Sequence, residues 1–259
     1  MPYAINNGVK IYYEVVGEGP PIMLVDGLTG SIEIWQRFGY VQPLAEKYKL
    51  ILVDPRGRGK SDKLYRPEEH SMKYMVGDLV AVLGDLGLEK AVYWGYSMGG
   101  SIGLAIGKYA PKRFSALVIG GAGLLERDSK KHIDEMEDFL ERFDHEQVLI
   151  KKYGEEGWPE DFEDWNKEKW LSTDYDSLRA YCKNHENIGM ADYLLKISTP
   201  SLIYAGTEDQ IFFEAKRCAE VMPNAEFVSF SGMGHGDAFY QRKQVFPHVL
   251  KFLEKVDSE

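Results

Sequence analysis

The 259-residue sequence holds only two cysteines, Cys182 and Cys218. Two thiols are too few for a disulfide framework or a zinc cluster, and they fit a reducing, cytoplasmic setting. No apolar run approaches the ~20 residues that span a bilayer. The stretch Met1-Pro2-Tyr3-Ala4-Ile5-Asn6-Asn7-Gly8 has neither a basic nor an apolar leader segment, so no secretory signal is expected. Basic residues are in the minority, with 31 Lys and Arg against 41 Asp and Glu and a net charge of −10. Such a balance argues against nucleic acid and against anionic membrane surfaces as partners. With 44% hydrophobic and 28% charged residues, the chain has a globular composition, which excludes global disorder, collagen and coiled coil.

The charge is unevenly spread. Between Leu125 and Lys196 there are 20 acidic and 11 basic residues, which leaves the rest of the chain within one charge of neutral. This segment also carries Trp158, Trp165 and Trp170, three of the five tryptophans, and so reads as a folded insertion rather than a tail. The flanking parts alternate between strand-like and helix-like patterns. The β-branched and aromatic run Val9–Val16 follows a turn at Asn6-Asn7-Gly8 and predicts a hairpin over Tyr3–Val16. Short apolar runs at Ile22–Val25, Leu50–Val53, Ala91–Trp94, Ala116–Ile119 and Leu202–Ala205 each stop at Gly or Asp. That pattern suits strands of a parallel sheet buried on both faces. Ser71–Leu86 has apolar residues at spacings of three and four, and Phe213–Met222 and Tyr240–Val256 are further helix candidates. Alternation of this kind predicts an α/β fold with helices on both faces.

The strongest chemical signal is Gly95-Tyr96-Ser97-Met98-Gly99-Gly100, a G-x-S-x-G pattern after an apolar strand and before a helical stretch, Met98–Tyr109. It would hold Ser97 on a strained turn at the carboxyl end of the sheet, with the free N–H groups of a helix behind it. A serine hydroxyl needs an adjacent base, and the base needs an orienting acid. Of six histidines, only His235 sits in a glycine-rich loop (Ser231–Gly236) after an apolar run, Phe227–Phe230. His132, His145 and His185, in the acidic insertion, are expected to be solvated, and His70 and His248 structural. Asp209, after Leu202–Ala205, gives the chain order Ser, Asp, His; Glu208, Asp237 and Glu126 are rival acids. A tetrahedral intermediate needs two N–H donors. The backbone amide of Met98 is one candidate, and that of Leu28 in the glycine-rich Asp26–Gly30 loop is the other.

Together these segments resemble the α/β-hydrolase superfamily, in particular its small esterases, lactonases and C–C hydrolases. The hairpin, the Asp54–Asp62 segment (D-x-R-G-x-G-x-S-D), the elbow and the Asp209 and His235 loops match in position and order. The resemblance implies a mostly parallel eight-stranded sheet with helices on both faces and a helical cap inserted after strand 6. The acidic segment fits that cap, giving a core of residues 1–124 and 197–259 and a cap of 125–196. The resemblance also implies that Asp54 and Arg56 are structural. The opening residues are similar to those of enol-lactone hydrolases. One departure is Asp26-Gly27, where relatives usually carry His-Gly. An aspartate there either takes over the histidine's structural hydrogen bonds or opposes negative charge near the oxyanion.

The function expected is a serine hydrolase acting on a small ester or lactone through an acyl-enzyme, with no cofactor and no metal. A lyase or C–C bond hydrolase using His235 as base is the alternative, and a non-catalytic ligand receptor on the same scaffold is a third. The three tryptophans with Tyr153, Tyr175, Tyr181 and Tyr193 point either to an apolar or aromatic acyl substrate or to a core for the cap itself.

Overall fold

The computed structural model describes residues 2–124, 128–153 and 171–258, and side chains outside 145–153. Among them, eight strands form one sheet in the order β1-β2-β4-β3-β5-β6-β7-β8. They are β1 (Tyr3–Asn6), β2 (Val9–Val16), β3 (Pro21–Val25), β4 (Lys49–Val53), β5 (Ala91–Tyr96), β6 (Phe114–Gly120), β7 (Ser201–Gly206) and β8 (Ala225–Phe230). The β1–β2 and β2–β4 pairs are antiparallel, and every later pair is parallel.

The apolar runs become central strands because both of their faces are covered. Successive residues point to opposite sides, so Met23 and Val25 join one core while Ile22 and Leu24 join the other. The first core takes in α3 (Met72–Asp85), α4 (Met98–Tyr109) and α8 (Phe212–Val221); the second takes in α1 (Ile32–Arg37), α2 (Val41–Ala45), α9 (Asp237–Tyr240) and α10 (Arg242–Asp257). The expected helix over Tyr240–Val256 is thus two, divided at Gln241. The capping side chain of Ser71 accepts the Tyr74 N–H and starts α3.

Between β6 and β7 lie α5 (Lys130–Tyr153), α6 (Tyr175–Cys182) and α7 (Met190–Leu194). Helix α5 is acidic outside and apolar inside: Leu140 and Phe143 are buried, and Met136 and Phe139 pack on the core, at spacings of three and four. The ring of Phe143 stacks on Tyr175 at 4.6 Å and ties α5 to α6. No helix among the described residues is long and apolar enough to cross a membrane.

The turn after β4 fastens several elements together. Asp54 accepts the amides of Ile32 (2.9 Å) and Lys60 (2.8 Å). Ser61 Oγ donates to Asp54 O and accepts the Tyr12 amide, while Asp62 accepts that of Lys10. Arg56 pairs with Asp78 of α3 through two 2.7 Å hydrogen bonds, both side chains buried. These residues hold β2, β4, α1 and α3 in place.

Candidate active site

Strand β4 lies on one side of β3 and β5 on the other, so the chain changes direction between β3 and β5. Loops from the carboxyl ends of these strands diverge there and leave a crevice. Ser97 stands at its floor, directly after β5.

Ser97 has φ 54° and ψ −115°; Asn7, in the hairpin turn, is the other non-glycine residue at positive φ among those described. Its amide donates to Gly120 O (2.8 Å), and its carbonyl accepts the Ser101 amide (2.9 Å). A Cβ on Gly95 would lie 2.3 Å from Gly99 O, and one on Gly99 would lie 2.3 Å from Val25 O. The glycines therefore permit close strand–helix contact, and that contact sustains the strained serine.

His235 reaches the serine from the loop after β8. Its Nε2 is 2.9 Å from Ser97 Oγ, and its Nδ1 is 2.8 Å from Asp209 Oδ2. The carboxylate accepts, so the proton belongs on Nδ1 and Nε2 is left to accept from the hydroxyl. The Asp209 side chain is fully buried, and its second oxygen accepts the Ile211 amide (3.1 Å). Of the rival acids, Glu208 is exposed and Asp237 accepts the Gly234 amide. Glu126 lies outside the described residues. The His235 carbonyl accepts the hydroxyl of Tyr96, whose ionisation is pushed well above the ordinary phenol range by burial. Tyr96 thus remains a neutral donor.

The loop after β3 closes the other side. Gly27 packs on the serine: a Cβ there would sit 3.1 Å from Ser97 Cβ. The Gly30 amide donates to Gly27 O (3.2 Å). Met98 N–H is the first amide of α4 and has no intrahelical acceptor. The Leu28 amide has no hydrogen-bond partner among the described residues. Asp26 is buried, with its carboxylate so close to Gly30 that a Cβ there would lie 1.6 Å from Oδ2.

Two cavities meet at Ser97 and His235. One, of about 270 Å³, is lined by Asp26, Leu28, Ile34, Phe139, Phe239 and Tyr240 among others. The second, of about 130 Å³, is lined by Met72, Met98, Met136, Tyr181, Ile188 and Met190, together with His132 and Glu135. This corrects the expectation that His132 and His185 are solvated. His132 is half-buried and lines the cavity that Ser97 also lines, and His185 is half-buried with Nδ1 inaccessible to water, because α5 and the segment after α6 lie down on the body. His145, Tyr153, Trp158, Trp165 and Trp170 fall outside the described side chains. Tyr181 lines a cavity, whereas Tyr175 and Tyr193 pack within the cores. Sequence reasoning missed Tyr96, Gln210, Met136 and Phe139 as lining residues; the apolar spacing within α5 was the available signal.

The family model for the alpha/beta hydrolase fold matches residues 20–148. A 119-residue stretch is 35% identical to RutD of Azorhizobium caulinodans, covering 46% of this chain and 43% of that protein. An esterase structure from Exiguobacterium antarcticum superposes with a TM-score of 0.81 at 24% identity, covering 97% of this chain and 98% of that one. The enol-lactonase structure from Burkholderia xenovorans LB400 gives 0.76 at 19% identity, with 98% and 100% covered. The chain belongs to the α/β-hydrolase superfamily. Its sheet is that of an α/β-hydrolase, and three helices sit between β6 and β7 among the described residues.

Proposed function

We propose that this α/β-hydrolase is a serine hydrolase that cleaves a small ester or lactone through an acyl-enzyme. The observation that carries this reading is the unbroken chain of hydrogen bonds Ser97–His235–Asp209, with the serine on a strained elbow. Ser97 Oγ attacks the acyl carbon while His235 Nε2 takes its proton, and Asp209 holds the imidazole and stabilises its charged form. The Leu28 and Met98 amides receive the oxyanion. His235 then protonates the leaving alcohol, and water hydrolyses the acyl-enzyme by the same route. In this reading residues 125–196 form a cap over the site, and the cavities, walled mainly by Met, Ile, Leu, Phe and Tyr, accept an apolar or aromatic acyl substrate. The esterase and enol-lactonase of the same fold are consistent with it.

A panel of p-nitrophenyl esters of graded chain length, with lactones alongside, tests the proposal. Wild type should turn over members of the panel, and Ser97→Ala should lose at least ~10³-fold in kcat with unchanged thermal stability. Undiminished turnover by Ser97→Ala would refute it.

A further inference from the structure

Arg58 occupies a position that its role in the turn after β4 does not explain. Its side chain is buried, and among the described residues no carboxylate lies within ion-pair distance of it. Burial lowers its ionisation to about 10, so it stays charged at neutral pH. A buried guanidinium with no close counter-ion is costly. Two of its nitrogens donate to backbone carbonyls, Nε to Leu28 O and Nη1 to Gly57 O (2.8 Å), while Nη2 is buried with no partner among the described residues. The flat face of the group lies over the ring of Tyr181 in α6, 5.6 Å from its centroid. The group therefore connects the loop beside Ser97 to a helix inserted between β6 and β7.

We propose that Arg58 is a positioning residue for oxyanion stabilisation: it fixes Leu28 so that the Leu28 amide points at the reacting centre, and Tyr181 holds Arg58 in that pose. This rests on the serine-hydrolase reading above. A fork bonded to Leu28 O on one side and Gly57 O on the other removes rotation of the 27–29 loop, and a preorganised donor gains its advantage only as negative charge develops. A lysine has no such fork and cannot make both bonds in one geometry.

The test measures labelling of the enzyme by a fluorophosphonate. In that reaction Ser97 Oγ bonds to phosphorus, fluoride leaves with the P–F electron pair, and the serine proton passes to His235. Wild type, Ser97→Ala, Arg58→Lys, Arg58→Met and Tyr181→Leu are compared, with melting temperature recorded for each. Expected are no labelling of Ser97→Ala, labelling at least 10-fold slower in both Arg58 variants, and a smaller slowing in Tyr181→Leu. With p-nitrophenyl acetate, kcat should fall in parallel while KM stays within about two-fold. Labelling of correctly folded Arg58 variants at the wild-type rate overturns the inference. If both Arg58 variants fail to fold, Tyr181→Leu decides, and a wild-type rate there overturns it. Wild type that resists labelling instead brings down the serine reading itself, and this inference with it.

Discussion

Tyr96, the residue directly before Ser97, donates its phenolic hydrogen to the backbone carbonyl of His235, 139 residues further along the chain. Its ring also lies 4.9 Å from that of Phe239 in α9. The serine and histidine loops are therefore joined twice, once through the reacting side chains and once beneath them. Tyr96→Phe should reduce kcat several-fold by loosening the His235 loop, and should cost about 1 kcal/mol of stability through the lost hydrogen bond. Unchanged kcat alongside lowered stability would confine the tyrosine to packing.

The pair Arg56–Asp78 gives a prediction about the scaffold. Removing one member leaves a buried charge without its counter-ion, so Asp78→Ala should destabilise by about 3–5 kcal/mol in urea unfolding. Arg56→Met combined with Asp78→Ala should cost clearly less than the two single changes summed. Additive costs would mean that the pair is not coupled.

Gly30 and Asp26 should behave as one unit. Gly30→Ala drives its new methyl into the Asp26 carboxylate, which predicts about 1–3 kcal/mol of destabilisation and slower turnover of any ester that wild type cleaves. Adding Asp26→Ala should relieve the clash and restore part of the stability. If the double variant is no better than Gly30→Ala, the carboxylate is not what Gly30 makes room for.

His70 predicts an acid sensitivity. Burial, with Arg58 and Arg56 nearby, lowers its pKa from 6.5 to about 4. Its Nε2 faces Leu64 O at 3.0 Å, so the neutral ring carries its proton there. Between pH 6.5 and 4 the unfolded chain binds a proton at this residue that the folded one refuses. Stability is therefore full above pH 6.5 and falls towards pH 4, by up to about 3 kcal/mol from this group. His70→Gln should flatten the urea midpoint across that window relative to wild type; an identical slope would exclude His70 as the source.

The parts legible in the sequence were those governed by short-range rules. Strands covered on both faces must be apolar throughout, so Ile22–Val25 and Leu202–Ala205 announced themselves, and the glycines around Ser97 marked a turn that only close packing requires. The convergence of Ser97, Asp209 and His235 was inferable from loop position and chain order. What escaped were contacts between remote stretches. Nothing adjacent to Tyr96 in the chain indicates that it meets His235 O. Nothing adjacent to Arg58 in the chain indicates that it meets Tyr181, which lies over a hundred residues away. The excess of Asp and Glu in 125–196 drew attention to solvent, yet the opposite side of α5 carries Met136 and Phe139 to the reaction cavity.

The anchoring of Tyr12 by Ser61 and of Lys10 by Asp62 has a mechanical consequence. Asp54, in the same turn, holds the Ile32 amide just beyond the loop beside Ser97. A pull on the first hairpin is thus transmitted through 54–62 towards that loop, so the amino-terminal strands and the loop beside Ser97 are mechanically linked.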